Sequence, residues 1–289
     1  MATEQEFTPR QLARAVGASE ASMKRWCDKG MIETHRTDGG HRRIPLQAAL
    51  RYLRDRGKPI AQPEILGLPT GTGTSGRGMA WSATQIREAT EAGDEERARR
   101  VTLNLYLSGK SCSEIFDECL AVAFHEIGMR WSSGETAIFE ERRCCEIAIR
   151  LIHELRGAVP QPPEEAPVAI GGTLSDDPYS LPTAMVEVAL RERGWNARSY
   201  GVNLPVDTFC DAIDMAQPSL VWLSVGALPK RETLVEECTK LYAATDRIGC
   251  AFVVGGRIFD DELRKQLQYS AYCDNIQHLE SFLKTLRVS

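Results

Sequence analysis

The sequence predicts a multidomain chain in three parts: a small α-rich head, a helical bundle and a doubly wound α/β tail. Three observations predict it. Net charge is −5, yet residues 1–58 carry 12 Lys and Arg against 7 Asp and Glu, while the remainder carries 23 against 33. From residue 81 to 156 the apolar residues return at helical spacing, the mark of packed amphipathic helices. From about residue 166, short apolar runs alternate with helical stretches, as parallel strands and crossover helices do. A chain of 289 residues, 43% hydrophobic and 26% charged, has room for several ordinary globular domains.

Composition also excludes some classes. No apolar run nears the roughly 20 residues that cross a membrane. The polar, acidic start MATEQEFTPR lacks the features of a secretory signal, so a cytoplasmic location is expected. Nine cysteines without a C-x-x-C pair argue against a disulfide framework or a zinc knuckle, and for free thiols in a reducing compartment.

The head, residues 1–60, opens with TPRQLARAVG. Thr8 as cap, Pro9 at the first helical position and Gln11 as capping-box partner start one helix. Leu12, Ala15 and Val16 form its inner stripe, and Gly17 ends it. Ser19 caps a second helix, SEASMKRWCDKG, stopped by Gly30. Two short helices across a tight turn make a helix-turn-helix, whose second helix enters the major groove of DNA. Its candidate contacts are Glu20, Ser22, Lys24 and Arg25, with Trp26 expected in the core. Next, Asp38-Gly39-Gly40 is a hairpin turn crowded by His35, Arg36, His41, Arg42 and Arg43. A basic hairpin beside a recognition helix is a wing over the phosphate backbone. No cysteine or carboxylate cluster accompanies the two histidines, so phosphate contact or plain exposure is expected of them rather than metal binding.

Gly, Pro, Ser and Thr dominate residues 67–78, so residues 61–79 are expected to form a flexible linker. The bundle, residues 80–158, has candidate helices at 82–92, 94–108, 111–130 and 135–156, with short joints. Ile115, Leu120, Val122, Ala123 and Ile127 mark the inner face of the third. His125 and His153 are expected to be structural or surface residues. Cys144 and Cys145 point about 100° apart on a helix, so they are expected as buried small side chains rather than a redox pair.

In the tail, residues 165–289, PVAIGG, WNARSY, SLVWLSV and CAFVVGG are strand candidates. Helices are expected near 180–193, 206–216, 231–245 and 260–268. Ligands of such sheets sit beyond the carboxyl ends of the strands, here the segments GGTLSDDPYSLP, SVGALP and VVGGRIF. No G-x-G-x-x-G or Walker motif occurs, which disfavours a dinucleotide or nucleotide triphosphate.

Two resemblances follow from these residues. FTPRQLARAVGASEASMKRW and RTDGGHRRI resemble the winged DNA-binding domain of the MerR and excisionase type, which binds pseudo-palindromic operators as a dimer. No sustained heptads follow, so the long coiled coil of MerR activators is not expected. The order of head, linker, bundle and Rossmann-like sheet resembles the cobalamin-binding module of methionine synthases and of light-responsive MerR-type repressors of the CarH kind. In that family the first sheet loop reads D-x-H-x-x-G, a later strand ends in S-x-L and a further one in GG. The bundle motif is W-x9-E-H. Here the matching residues are Asp177, Tyr179, Ser224, Gly255 and Gly256 in the sheet, and Trp131, Glu141 and Arg142 in the bundle. The resemblance places the family's lower cobalt ligand at Tyr179, and its two bundle histidines at Ser132 and Arg142. A neutral imidazole binds cobalt directly, whereas a phenol must first give up a proton near pH 10. The cobalt-ligating histidines are therefore absent while the outline of the pocket remains.

The chain is accordingly expected to be a DNA-binding transcriptional regulator of the repressor kind and not an enzyme. Its partners would be an operator in double-stranded DNA and copies of itself, as a dimer or tetramer. The sequence leaves three versions of the module open. It holds adenosylcobalamin without histidine ligation, or another tetrapyrrole or small molecule, or nothing, serving then for dimerisation or partner binding. A guanidinium at Arg142 facing the pocket favours an anionic ligand, unless it pairs with Glu146 at helical spacing. A corrinoid-dependent enzyme or methyl carrier has no use for the basic head.

Overall fold

The computed structural model describes residues 5–73, 78–227 and 230–286. It divides into two compact units, Met1–Pro160 and Gln161–Ser289.

The first unit begins with β1 (Glu6–Phe7), α1 (Pro9–Ala15), α2 (Glu20–Asp28), β2 (His35–Arg36), β3 (Arg42–Pro45) and α3 (Leu46–Arg56). The caps form as their residue types dictate. Thr8 Oγ1 accepts the Gln11 N–H at 3.2 Å, and Gln11 Oε1 accepts the Thr8 N–H at 2.8 Å. Ser19 Oγ accepts the Ser22 N–H at 3.1 Å. β3 pairs antiparallel with β2 and β1. Leu12, Ala15, Met23, Ile44, Leu50 and Leu53 close a core beneath the two first helices and the sheet. Trp26 is only half-buried, its ring 5.5 Å from that of Tyr52. β1 and α3 went unanticipated.

The segment expected to be a flexible linker is built into this unit. The Ala61 and Gln62 N–H groups donate to the Ala15 carbonyl at 2.8 and 3.0 Å. A 3-10 turn, Pro63–Leu66, follows. Leu66, Leu68 and Thr72 are buried, and the Gly73 N–H donates to Asn104 Oδ1 at 2.6 Å. Composition marked the turns but not the two leucines that anchor them. Residues 74–77 of that expected linker lie outside the described residues. Leu66→Ala should therefore cost about 2–5 kcal/mol, as emptying a core site does, read as a lower midpoint in chemical denaturation. An unchanged midpoint is what a free tether would give.

The bundle comprises α4 (Met79–Ala92), α5 (Glu95–Leu107), α6 (Cys112–Ile115), α7 (Ala121–Ser132) and α8 (Ile138–Ala158). A π-helical turn, Phe116–Leu120, joins α6 to α7. The extra residue in that turn shifts the phase of the helix. Leu120, Ala123 and Ile127 are buried, following Ile115 by five, eight and twelve residues, and Val122 is exposed against expectation. Ion pairs lash the helices together. Arg99 grips Glu154 with Nε and Nη2, at 2.7 to 2.9 Å, and Arg150 grips Glu95 at 2.8 and 2.9 Å. α3 docks on α5 through Arg54, whose guanidinium lies 4.2 Å over the Tyr106 ring and donates to the Lys110 carbonyl.

The second unit is one parallel sheet of order β5-β4-β6-β7-β8. Its strands are β4 (Val168–Gly172), β5 (Asn196–Ser199), β6 (Leu220–Ser224), β7 (Ala251–Gly255) and β8 (Ala271–Cys273). Its helices are α9 (Ser180–Glu192), α10 (Val206–Ala216), α11 (Arg231–Arg247), α12 (Asp261–Gln266) and α13 (Ile276–Leu283). Successive strand residues enter opposite cores. Ile170, Val221, Leu223, Phe252 and Val254 pack with Phe209, Ile213 and Leu241. Ala169, Leu220, Trp222 and Val253 pack with Leu190 and Leu279. Both faces are covered, which explains the unbroken apolar runs of the central strands. β8 and α13 were not foreseen.

At its centre Gly171 of β4 stands opposite Trp222 of β6. A Cβ at Gly171 would fall inside the indole. Gly171→Ala should thus destabilise this unit by about 1–3 kcal/mol, the usual cost of overpacking. Trp222→Val should make the same alanine tolerable, a coupling read from the four melting midpoints of a double-mutant cycle. Additive effects would mean that the two side chains do not compete for one space.

Candidate functional site

Three surfaces gather the residues singled out by sequence. The first is in the head. Lys24, Arg36, His41, Arg42 and Arg43 line one cleft of about 420 Å3 between α2 and the β2–β3 hairpin. Their surroundings differ. Arg42 donates to Asp28 Oδ1 at 2.6 Å and to the Lys24 carbonyl at 3.3 Å, so it fastens the hairpin to the end of α2. Lys24 Nζ lies 2.8 Å from Glu20 Oε1 on the exposed face of α2, and that lysine holds the Glu20 carboxyl below its ordinary pKa. His35 Nε2 is 3.0 Å from Glu6 Oε1. Arg36 donates to the Gly40 carbonyl, at 3.4 Å. Among the described residues Arg36 and Arg43 have no carboxylate partner, and Arg25 is exposed. Ser22 takes a hydrogen bond from Ser19 Oγ within the cap. Asp28 is the residue that sequence inspection missed. Its signal, an acid in the last turn of a helix facing a basic hairpin, is visible only once the hairpin folds back.

The second surface is on the bundle. α7 exposes Val122, Met129 and Trp131, and α8 opens with Ile138 and Phe139, the last 71% exposed. Large apolar side chains left exposed near the end of α7 and the start of α8 are candidates for a binding surface. Glu91 holds the two helix ends. Its carboxylate accepts from Arg87 and Arg130, at 2.7 and 3.2 Å, and its carbonyl from Arg143 at 2.6 Å. Glu141 is half-buried beside them and takes the Cys145 S–H at 3.2 Å. Burial, then Glu141, pushes the Cys145 thiol up to about 12. Burial also raises Cys144, so neither thiol is reactive near neutral pH. Arg142 is exposed and leans on Glu141 at 3.7 Å. Glu146, the alternative partner at helical spacing, lies instead near Arg150. Ser132 turns back onto the Met129 carbonyl. His125 and His153 are exposed.

The third surface is the carboxyl edge of the sheet. Strand order reverses between β4 and β6, and the loops after those strands meet there. Asp177, 3% exposed, joins them. Its Oδ1 accepts the Tyr179 N–H at 3.1 Å and its Oδ2 the Gly226 N–H at 2.6 Å. Thr173 Oγ1 donates to the Asp177 carbonyl at 2.7 Å and accepts the Asn203 N–H. The Tyr179 ring lies on Gly226, where a Cβ would stand 2.9 Å from the ring. Arg257 stands over the same ring, its guanidinium 5.1 Å from the ring centroid and its Nε 3.4 Å from the Gly226 carbonyl. Ser224 is buried at the end of β6. The glycine pair has its own structural cause. Gly256 has φ of 135°, and a Cβ there would strike the Val225 carbonyl, while one at Gly255 would sit 2.8 Å from the Cys273 carbonyl. Gly226, Arg257 and Trp222 were not singled out by sequence. Leu228 and Pro229 of the expected loop lie outside the described residues.

Among the described residues no group of three or more His, Cys, Asp or Glu side chains is placed to hold a metal ion, and no helix is long and apolar enough to cross a membrane.

A helical bundle and a doubly wound sheet of this order define the class, and comparison with known proteins agrees. Residues 83–156 match the family of B12 binding domains. The HTH-type transcriptional repressor CarH of Myxococcus xanthus is similar to this chain: 25% identical over 247 residues, spanning 78% of this chain and 80% of that one. The monomethylamine corrinoid protein of Methanosarcina barkeri shares the fold. Its TM-score is 0.57 at 15% identity, over 70% of this chain and 96% of that one.

Proposed function

We propose that this chain is a transcriptional regulator of repressor type, not an enzyme. It reads an operator in double-stranded DNA through a MerR-type winged helix-turn-helix, and its body is a cobalamin-type module that senses a ligand, or light acting on one. The observation that carries this is the convergence of α2 and the hairpin on one basic cleft, in a chain similar over most of its length to a transcriptional repressor.

α2 presents Glu20, Ser22, Lys24 and Arg25 to base edges, while Arg36, His41 and Arg43 lie along the phosphates and Arg42 sets the angle of the wing. The apolar face of the bundle, from Trp131 to Phe139, takes the flat face of a corrinoid, and Glu141 and Arg142 flank it. Self-association of the body, as a dimer or tetramer, raises the effective concentration of a second head at a second half-site. A ligand regulates such a device only if it binds the assembled and dissociated states with different affinity.

The test is fluorescence anisotropy of the full chain with a labelled DNA duplex over a range of salt, alone and after incubation with adenosylcobalamin in darkness. The expected result is binding whose logarithm falls linearly with the logarithm of salt, and which shifts when the cobalamin is added. Failure to bind any duplex at low salt overturns the assignment.

A further inference from the structure

We propose that the crevice at the switch point of the sheet is filled by the chain's own aromatic side chains, Tyr179 and Trp222. The sheet domain then gives a corrinoid neither a ligand for its cobalt nor room for its nucleotide arm. This deepens, and rests on, the corrinoid-binding role proposed above for the bundle.

In an open α/β sheet the ligand crevice lies beyond the strand ends where strand order reverses, here between β4 and β6. Among the described residues, Asp177, Gly226 and Thr173 at that point are engaged with one another's loops. Asp177 spends one oxygen on each of two backbone N–H groups, which ties the carboxylate to the loops after β4 and β6. The Tyr179 ring touches Gly226 and carries the Arg257 guanidinium, an arrangement that a cation over an aromatic face stabilises. Deeper, Trp222 is 2% exposed and occupies the space that Gly171 leaves open. Its indole N–H donates to Thr183 Oγ1 on α9 at 3.0 Å, and that hydroxyl is within 3.1 Å of Ser199 Oγ on β5. A buried indole whose N–H is satisfied belongs to a finished core.

Cobalamin carries its own benzimidazole on a nucleotide arm. A protein side chain can take the lower face of cobalt only if that arm moves aside and finds space. With the crevice closed, a corrinoid carried by this chain keeps its own base on cobalt.

The test is the visible spectrum of the full chain after incubation with adenosylcobalamin in darkness and gel filtration. It is run on the wild type, Tyr179→His and the double variant Tyr179→His/Trp222→Val. Valine suits a central strand, and a melting curve establishes that each variant folds. Retained corrin with the base-on band in the wild type, together with an EPR signal of the reduced cobalt in Tyr179→His that 15N-histidine labelling leaves unaltered, supports the proposal. A displaced-base spectrum in the wild type, or an EPR splitting in Tyr179→His that changes with 15N-histidine, overturns it, because the arm has then found room. If the wild type retains no corrin, the corrinoid role of the bundle fails separately. The filled crevice is then supported if the double variant acquires corrin where Tyr179→His does not, and overturned if neither acquires it.

Discussion

Arg36→Ala together with Arg43→Ala should weaken binding of duplex DNA about a hundredfold and flatten the salt dependence by about two units of slope. The two guanidiniums line the cleft, and among the described residues neither is neutralised by a carboxylate. A lost charged hydrogen bond costs about 1.5 kcal/mol, roughly tenfold each. Each lost phosphate contact removes about one counterion from the slope. Arg42→Ala should behave differently. Its charge is already balanced by Asp28 at 2.6 Å, so its loss loosens the wing and weakens binding with little change in slope. Anisotropy titrations on two unrelated duplexes separate the cases. A defect confined to one duplex, with the slope unchanged, would mean that Arg36 and Arg43 read bases and do not hold phosphates.

That difference between two neighbouring arginines was not legible in the sequence, whereas the frame that carries them was. Caps are local, so Thr8 with Gln11, and Ser19 with the stop at Gly30, identified their helices from a few residues. The central strands were legible because burial on both faces forces unbroken apolar runs. β8 is three residues at a sheet edge and leaves no such run. α3 does carry a stripe, Ala49, Tyr52 and Leu53, but it begins directly where the hairpin ends. The π-turn at Phe116–Leu120 leaves no compositional trace, and Val122 faces outward because it stands about 200° around the helix from the buried Leu120. At the sheet edge, sequence located Asp177, Tyr179 and the glycine pair. It could not show that Trp222 faces Gly171, because which residues stand opposite across a parallel ladder is a property of register.

Asp177 is where this matters most, and Asp177→Ala should lower the stability of the second unit by about 3–5 kcal/mol. The carboxylate is buried and accepts backbone N–H groups from two loops, at Tyr179 and Gly226. Its removal leaves both donors unsatisfied in a desolvated site, and hydrogen bonds to a charged group contribute about 1.5–3 kcal/mol each. Asp177→Asn should recover only part of this, because one amide oxygen must serve donors on two sides while the NH2 faces one of them. Denaturation followed by the fluorescence of Trp195 and Trp222, both buried in this unit, measures the loss. An aspartate kept only to orient a cofactor ligand would leave that transition unmoved. An aspartate that joins the loops after β4 and β6 moves it whether or not a cofactor is present, and so persists in a chain whose neighbouring position is Tyr179 and not histidine.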